Sequence, residues 1–263
     1  MMKSQPIGIF DSGVGGLSVA QKIRELLPNE NLIYIADSFH APYGDKSEEF
    51  IIQRSNLLTR FLVEQGAKII VVACNTATVS TIRKLRDTFD LPIVGIEPGV
   101  KPAAESSQTG VIGILATERT LKSESFNQLA KRFDKTTRVE TQACPGFVEQ
   151  VERLELNNEK TIELVNHHIH TLLDKGVDTI VLGCTHYPFL LPLIKKATPK
   201  NMIIIDTGLA VAKEVRRRLN EQELLSTQNT NGESFFYSSG SLTEMEGIIS
   251  KLWGAHNYLK TLE

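Results

Sequence analysis

Tryptophan occurs once, methionine four times and cysteine three times in 263 residues. No apolar run approaches the roughly 20 residues that a membrane-crossing helix needs, so no such helix is expected. Neither sign of charge dominates: 29 Lys and Arg stand against 31 Asp and Glu, a formal net charge of −2. That balance leaves no electrostatic footprint for nucleic acid or for an anionic membrane surface. The basic run Arg216-Arg-Arg218 lies in a helical pattern and is expected to face solvent. Three cysteines are an odd number in a chain too large to need staples, so a disulfide framework is not expected. They show no CxxC spacing, and the six histidines show no HExxH, so no metal site is expected. The opening Met1-Met-Lys-Ser-Gln-Pro6 lacks the apolar region of a signal peptide. Together these absences predict a reduced, cytoplasmic protein.

What is present is an internal echo. Ile69-Ile-Val-Val-Ala-Cys-Asn-Thr76 reads as a buried strand ending on a cysteine and two small polar side chains. Thr179-Ile-Val-Leu-Gly-Cys-Thr-His186 repeats it, with Cys184 lying 110 positions after Cys74. At the same offset Gly66 falls on Gly176, Ile70 on Ile180 and Val71 on Val181. A second correspondence sets Gly113-Ile-Leu-Ala-Thr117 on Gly8-Ile-Phe-Asp-Ser12, so Thr117 takes the place of Ser12 and Ala116 that of Asp11. The chain is long enough for two lobes, each with its own core. Alternating strands and helices predict an α/β fold of two pseudo-symmetric lobes, each a mostly parallel sheet flanked by helices, with the active site in the cleft between them.

In chain order, strands are expected at 7–10, 32–36, 69–76 and 92–96, with helices at 17–27 and 48–65 and another running on to about Phe89. The second copy follows with strands at 111–116, 137–142, 179–186 and 201–206. Its helices are expected at 119–132, around Glu149 and Glu152, at 159–175 and at 189–197. A helix over 208–220 and a polar, mobile stretch over 221–233 precede the strand Ser234-Phe-Phe-Tyr-Ser238 and a helix over 242–252. These last two have no counterpart in the second copy. They are expected to pack on the first lobe, giving one lobe from 1–98 plus 208–263 and another from 99–207.

Asp11-Ser-Gly-Val-Gly-Gly16 is a glycine-rich turn at a helix start, which suits an anion such as a carboxylate. No Gly-Lys-Ser/Thr follows, so it is no P-loop, and Ser18 stands where a dinucleotide fingerprint needs its third glycine. Asp37, after the second strand, keeps a nucleotide reading open. Ligands of open parallel sheets bind beyond the carboxyl ends of the strands, and both cysteines stand there. Two thiols facing one carbon from opposite sides can remove a proton and return one to the other face. A free thiol has a pKa of about 8.5, so each needs help to ionise at neutral pH; Asp11 is placed to serve Cys74, and His186 to serve Cys184. A lone buried cysteine is more often a small core residue, and Cys144, without a partner in the repeat, is read that way. His167, His168 and His170 are read as a solvated helix face, and Glu152 as merely exposed. A lyase such as a decarboxylase would need only one of the two cysteines, and a non-enzymatic two-lobed binder would need neither.

Asp11-Ser-Gly-Val-Gly-Gly-Leu17, Pro42-Tyr-Gly44, Cys74-Asn-Thr76, Gly95-Ile-Glu-Pro98 and Gly183-Cys-Thr-His-Tyr-Pro188 together resemble the glutamate racemases of the aspartate/glutamate racemase superfamily. The likeness runs over nearly the whole chain. It implies a cofactor-independent enzyme that interconverts L- and D-glutamate and supplies D-glutamate for peptidoglycan, and it implies a homodimer. It also implies that Cys74 and Cys184 exchange the proton, Cys74 acting on D-glutamate and Cys184 on L-glutamate. Asp11, Ser12, Tyr43, Gly44, Asn75, Thr76, Thr185 and His186 match substrate-binding positions, and Thr117 joins them as the counterpart of Ser12. Glu152 matches a glutamate that the family places near the second cysteine and the histidine. The surrounding Cys-Pro-Gly-Phe-Val-Glu-Gln-Val-Glu departs from the more apolar loop of many relatives, leaving Glu149 and Glu152 both available for that part.

Overall fold

The structure is a computed structural model that describes residues 2–133, 136–255 and 258–262. Its frame is two parallel sheets. The first holds β1 (Ile7–Asp11), β2 (Leu32–Ala36), β3 (Ile69–Val72) and β4 (Ile93–Gly95); the second holds β5 (Val111–Ala116), β6 (Arg138–Ala143), β7 (Thr179–Leu182) and β8 (Ile203–Ile205). Their strand orders, β2-β1-β3-β4 and β6-β5-β7-β8, are the same order written twice. Register repeats as well: Ile9 lies opposite Val71, and Ile114 opposite Val181. The four side chains of β3 are inaccessible to solvent, as are the first three of β7. Such strands, covered by helices on both sides, must be continuously apolar, and each buried Ile or Val contributes roughly 1.5–3 kcal/mol.

The first sheet is extended at its β2 edge by β9 (Ser234–Ser238) and then β10 (Leu259–Thr261), both parallel. The chain therefore leaves the first sheet after β4 and returns to it after β8. Among the described residues those are its two crossings.

Helices α1 (Leu17–Leu26), α2 (Glu48–Glu64) and α3 (Asn75–Thr88) follow the first three strands. Gly66 and Gly176 end equivalent helices with φ of 82° and 78°, a conformation open to glycine at little cost. Helix α4 (Val100–Ser106), which the sequence reading did not include, packs on the second sheet. The single helix expected over 119–132 is instead α5 (Glu118–Lys122) and α6 (Glu124–Lys131). They meet at Ser123, whose hydroxyl caps α6 by accepting from the Phe126 N–H at 3.1 Å.

Helices α7 (Phe147–Glu152), α8 (Glu159–Leu173) and α9 (Leu191–Ala197) complete the second lobe. After β8, α10 (Gly208–Glu221) packs along α1, and α11 (Leu242–Leu252) leads toward β10. Arg216, Arg217 and Arg218 face solvent.

The polar stretch expected to be mobile is pinned. Buried Lys68 donates to the carbonyl of Leu224 at 2.8 Å and pairs with buried Glu30, whose other oxygen accepts from the Ser226 N–H at 2.7 Å. Gly232 passes so close to the Glu30 backbone that an added Cβ would stand 2.8 Å from the Asn31 nitrogen. One hydrophobic cluster runs through both lobes, joining Val14, Leu17 and Ala73 to Phe147, Cys184 and Tyr187. The lobes are closed on one another.

Candidate active site

Cys74 lies just beyond β3 as the N-cap of α3, so Asn75 and Thr76, read as strand end, open a helix. The position points the sulfur at the helix N-terminus, where it accepts from the Ala77 N–H at 3.4 Å. It also donates to Ser12 Oγ at 3.7 Å. Burial, then the negative charge of Asp11, pushes the Cys74 thiol well above its ordinary pKa. Asp11 ends β1 with no exposed surface, and its Oδ2 accepts from the Gly16 N–H at 2.5 Å and Thr185 Oγ1 at 3.1 Å. Burial raises the Asp11 pKa, opposed by the charge of His186 and by the Cys74 thiol. On this side a protonated sulfur faces a carboxyl group readier than usual to hold a proton.

The other side is built differently. Cys184 follows β7, and its sulfur stands 3.7 Å from His186 Nδ1. His186 Nε2 stands 2.6 Å from Glu152 Oε1. Burial alone would lower the pKa of His186, but its hydrogen bonds and charge interactions with Cys184 and Glu152 carry it well above the ordinary range. The arrangement is a Cys184–His186–Glu152 line, with the imidazole hydrogen-bonded between the sulfur and the carboxylate. Glu152 Oε1 also accepts from the Val14 N–H at 2.7 Å, and Oε2 from Ser38 Oγ at 3.3 Å. Of the two glutamates left open, it is therefore Glu152 that reaches His186. Glu149 lines a cavity of about 430 Å³ shared by Gly44, Thr117, Cys144 and His167.

The glycine-rich turn does receive carboxylates, and they are the protein's own: Gly16 N–H binds Asp11 and Val14 N–H binds Glu152. Its glycines are required by contact. A Cβ on Gly13 would lie 2.6 Å from Glu152 Cδ, and one on Gly15 would lie 2.6 Å from His186 Cγ.

Thr76 Oγ1 meets Thr117 Oγ1 at 2.9 Å across the lobes, and Gly44 lies against the Thr117 side chain. Thr185 also accepts, through its carbonyl, from Ser18 Oγ at 2.8 Å. The amide nitrogen and oxygen of buried Asn75 find no partner among the described residues, so its side chain is free to grip a ligand. Tyr43 is different: its hydroxyl donates to Asp37 Oδ2 at 2.6 Å, so it shapes the 38–44 loop while Gly44 borders the cleft. Asp37 is also held by Arg54, through Nε at 3.0 Å and Nη2 at 2.6 Å, and by His40. Burial would raise the Asp37 pKa, but the hydrogen bonds from Arg54 and Tyr43 keep it below the usual value. With its oxygens so committed, Asp37 does not serve as a ribose-binding acid, and the nucleotide reading falls.

His168 corrects another expectation. It is buried, with Nδ1 at 3.0 Å from Gln142 Nε2 and its ring edge-on to Phe147, while His167 and His170 face solvent. Cys144 donates to the Gln142 carbonyl at 3.5 Å and is buried beside Tyr187. Among the described residues no group of three or more His, Cys, Asp or Glu could hold a metal ion. Sequence reading missed Ser38, Ser18 and the Val14 N–H, whose partners lie across the cleft. Cys74 and Cys184 are buried, at 5% and 8% exposure.

The family model described as Asp/Glu/Hydantoin racemase matches residues 7–215. The glutamate racemase of Ectopseudomonas mendocina is 50% identical over 256 residues, 97% of each chain. Glutamate racemase isoform RacE1 of Bacillus anthracis superposes with a TM-score of 0.90 at 33% identity, covering 99% of this chain and 98% of that one. Escherichia coli glutamate racemase, in complex with L-glutamate and the activator UDP-MurNAc-ala, has a TM-score of 0.87 at 32% identity over 98% of each chain.

Proposed function

Since the chain belongs to the Asp/Glu/Hydantoin racemase family, we propose that it interconverts L- and D-glutamate, without a cofactor, by passing a proton between two cysteines. The observation that carries this reading is the pair of buried thiols at equivalent strand ends of two facing lobes, one beside an imidazolium and one beside a carboxyl group.

In this reading the lobes are residues 1–98 with 208–263 and residues 99–207, and L-glutamate enters as they part. The Cys184 thiolate, kept charged by His186, removes the Cα proton, and the Cys74 thiol delivers its own proton to the opposite face. D-glutamate leaves, with Cys74 now the thiolate and Cys184 the thiol. Asp11 and the His186–Glu152 pair then carry the protons that reset the sulfurs or run the reverse reaction. The deprotonated carbon is an enolate-like anion beside a carboxylate. Its charge is stabilised by the N-terminus of α3 and by the unpartnered amide of Asn75, in a site from which water is excluded. Thr76, Thr117 and Thr185 complete the polar lining. Supply of D-glutamate for peptidoglycan, a homodimeric assembly and a cytoplasmic setting belong to the same proposal.

The two enantiomers are equal in free energy in water, so kcat/KM must be the same in both directions. The unlike partners of the thiols can therefore separate only kcat and KM taken singly. The test is incubation with L-glutamate in D2O, following circular dichroism and deuterium at Cα. The signal should decay to zero as deuterium enters the product, and Cys74→Ser and Cys184→Ser should each abolish the decay. An unchanged signal with wild-type protein, or full turnover by either variant, sinks the reading.

A further inference from the structure

Each carboxylate of the site is gripped by the lobe that does not carry it. Asp11 ends a strand of the first sheet, yet its Oδ2 accepts from Thr185 Oγ1 of the second lobe. Glu152 ends α7 of the second lobe, yet its oxygens accept from the Val14 N–H and Ser38 Oγ of the first. The pseudo-symmetry thus extends to an exchange of hydrogen bonds, although the chemistry on the two sides differs.

The geometry points to Ser38 as a positioning residue for Glu152, completing the Cys184–His186–Glu152 line from the opposite lobe when the cleft is closed. This rests on the two-thiol reading. A carboxylate turns easily about its last side-chain torsion, where the energy wells are broad and two-fold. Oε1 must stay on the line to His186 Nε2 while also accepting from Val14. Oε2 is held by Ser38 Oγ, whose residue is only partly exposed, and Glu152 itself keeps 15% of its side chain in contact with solvent. When the lobes part, the Val14 N–H and the Ser38 hydroxyl both withdraw, and Glu152 keeps only His186. The imidazolium is then less firmly held, and its hold on the Cys184 sulfur loosens. The proton-transfer line is assembled around an enclosed substrate.

The test needs a reaction that reads one sulfur at a time. In 3-chloroglutamate a thiolate breaks the Cα–H bond, and the electron pair forms Cα=Cβ as chloride leaves. The resulting enamine tautomerises and hydrolyses to 2-oxoglutarate and ammonium. No second thiol takes part, so each Cα enantiomer reports on one cysteine, identified by which of Cys74→Ser and Cys184→Ser abolishes its elimination.

Ser38→Ala should lower kcat for the Cys184-dependent enantiomer about fivefold, the worth of one modest hydrogen bond. It should leave the other enantiomer's rate unchanged, and Ser38→Thr should restore the loss. The alkaline limb of the affected profile should move to lower pH, since His186 loses part of what holds its proton. Equal losses for both enantiomers, or none, overturn the assignment of Ser38. A wild-type protein that neither eliminates nor racemises overturns the two-thiol reading instead.

Discussion

Replacing Gly15 with alanine puts a methyl group where the ring of His186 already lies. The new Cβ would stand 2.5 Å from Cε1 and 2.6 Å from Cγ, with Nδ1 closer still. Ordinary contact begins at 3.4 Å, so the ring must retreat by about an ångström or slightly more. It has no flexible end to bend away, being fully buried between Cys184 and Glu152. Gly15 has no positive φ, so alanine meets no backbone strain and the effect isolates the steric push. Misplacing a catalytic group by about 1 Å can cost on the order of a hundredfold in rate, and overpacking costs about 1–3 kcal/mol of stability.

Gly15→Ala should therefore fold, melt somewhat earlier, and racemise about a hundredfold more slowly with the same loss of kcat/KM from either enantiomer. The assay is decay of circular dichroism from each pure enantiomer beside a thermal melt. Gly247→Ala is the control: its added Cβ meets nothing within 4 Å inside α11. It should gain about 1 kcal/mol from the better helix former and leave the rate alone. A Gly15→Ala protein working at the wild-type rate would refute the idea that the turn holds His186 in place.

Two predictions concern stability alone. Lys68→Met strands the Glu30 carboxylate in the interior and should cost about 3–5 kcal/mol in denaturant melts. Adding Glu30→Gln removes the charge while keeping the acceptor for Ser226, and should recover part of that loss. Asp178 collects hydrogen bonds from Ser107, Gln108, Thr109 and Thr179, which outweigh its burial and hold its pKa at about 2. The depressed value means that its contribution is complete above the unfolded pKa of about 3.9 and is lost as pH falls through about 2. Asp178→Asn should be less stable than wild type at neutral pH by about 1–2 kcal/mol, the two curves converging in acid.

Those buried strands were legible because Ile69–Val72 and Thr179–Leu182 are nearly continuous β-branched runs, and their repetition exposed the second lobe. The two cysteines were legible for the same reason. What escaped depended on contacts that no local pattern encodes. Strand β10 has three residues and exists because β9 offers it an edge. Helix α4 carries Pro102 and follows Gly99, which together read as a loop. The break at Ser123 left a signal, a serine three residues before Phe126 with Glu124 between them, that was read through as helix interior. The burial of His168 escapes a local pattern because its cover is Phe147, the first residue of α7, 21 positions earlier. The stretch 221–233 was read as mobile from its polarity, but buried Lys68 and Glu30 supply the polar partners that hold it. Within the site, Ser38 and Val14 could not be paired with Glu152 from sequence, since they lie 114 and 138 positions from it.

The two chain crossings between the sheets have a mechanical consequence. A body tethered to another at one point can swing and twist in any direction. Tethered at two, it keeps one soft freedom, rotation about the line through both tethers. In the two-thiol reading proposed above, opening and closing then retrace a single arc that brings Cys74 and Cys184 to the substrate together. On that proposal no proton is drawn from one face before a donor stands at the other, and the covalent path of the chain guards the carbanion from passing water.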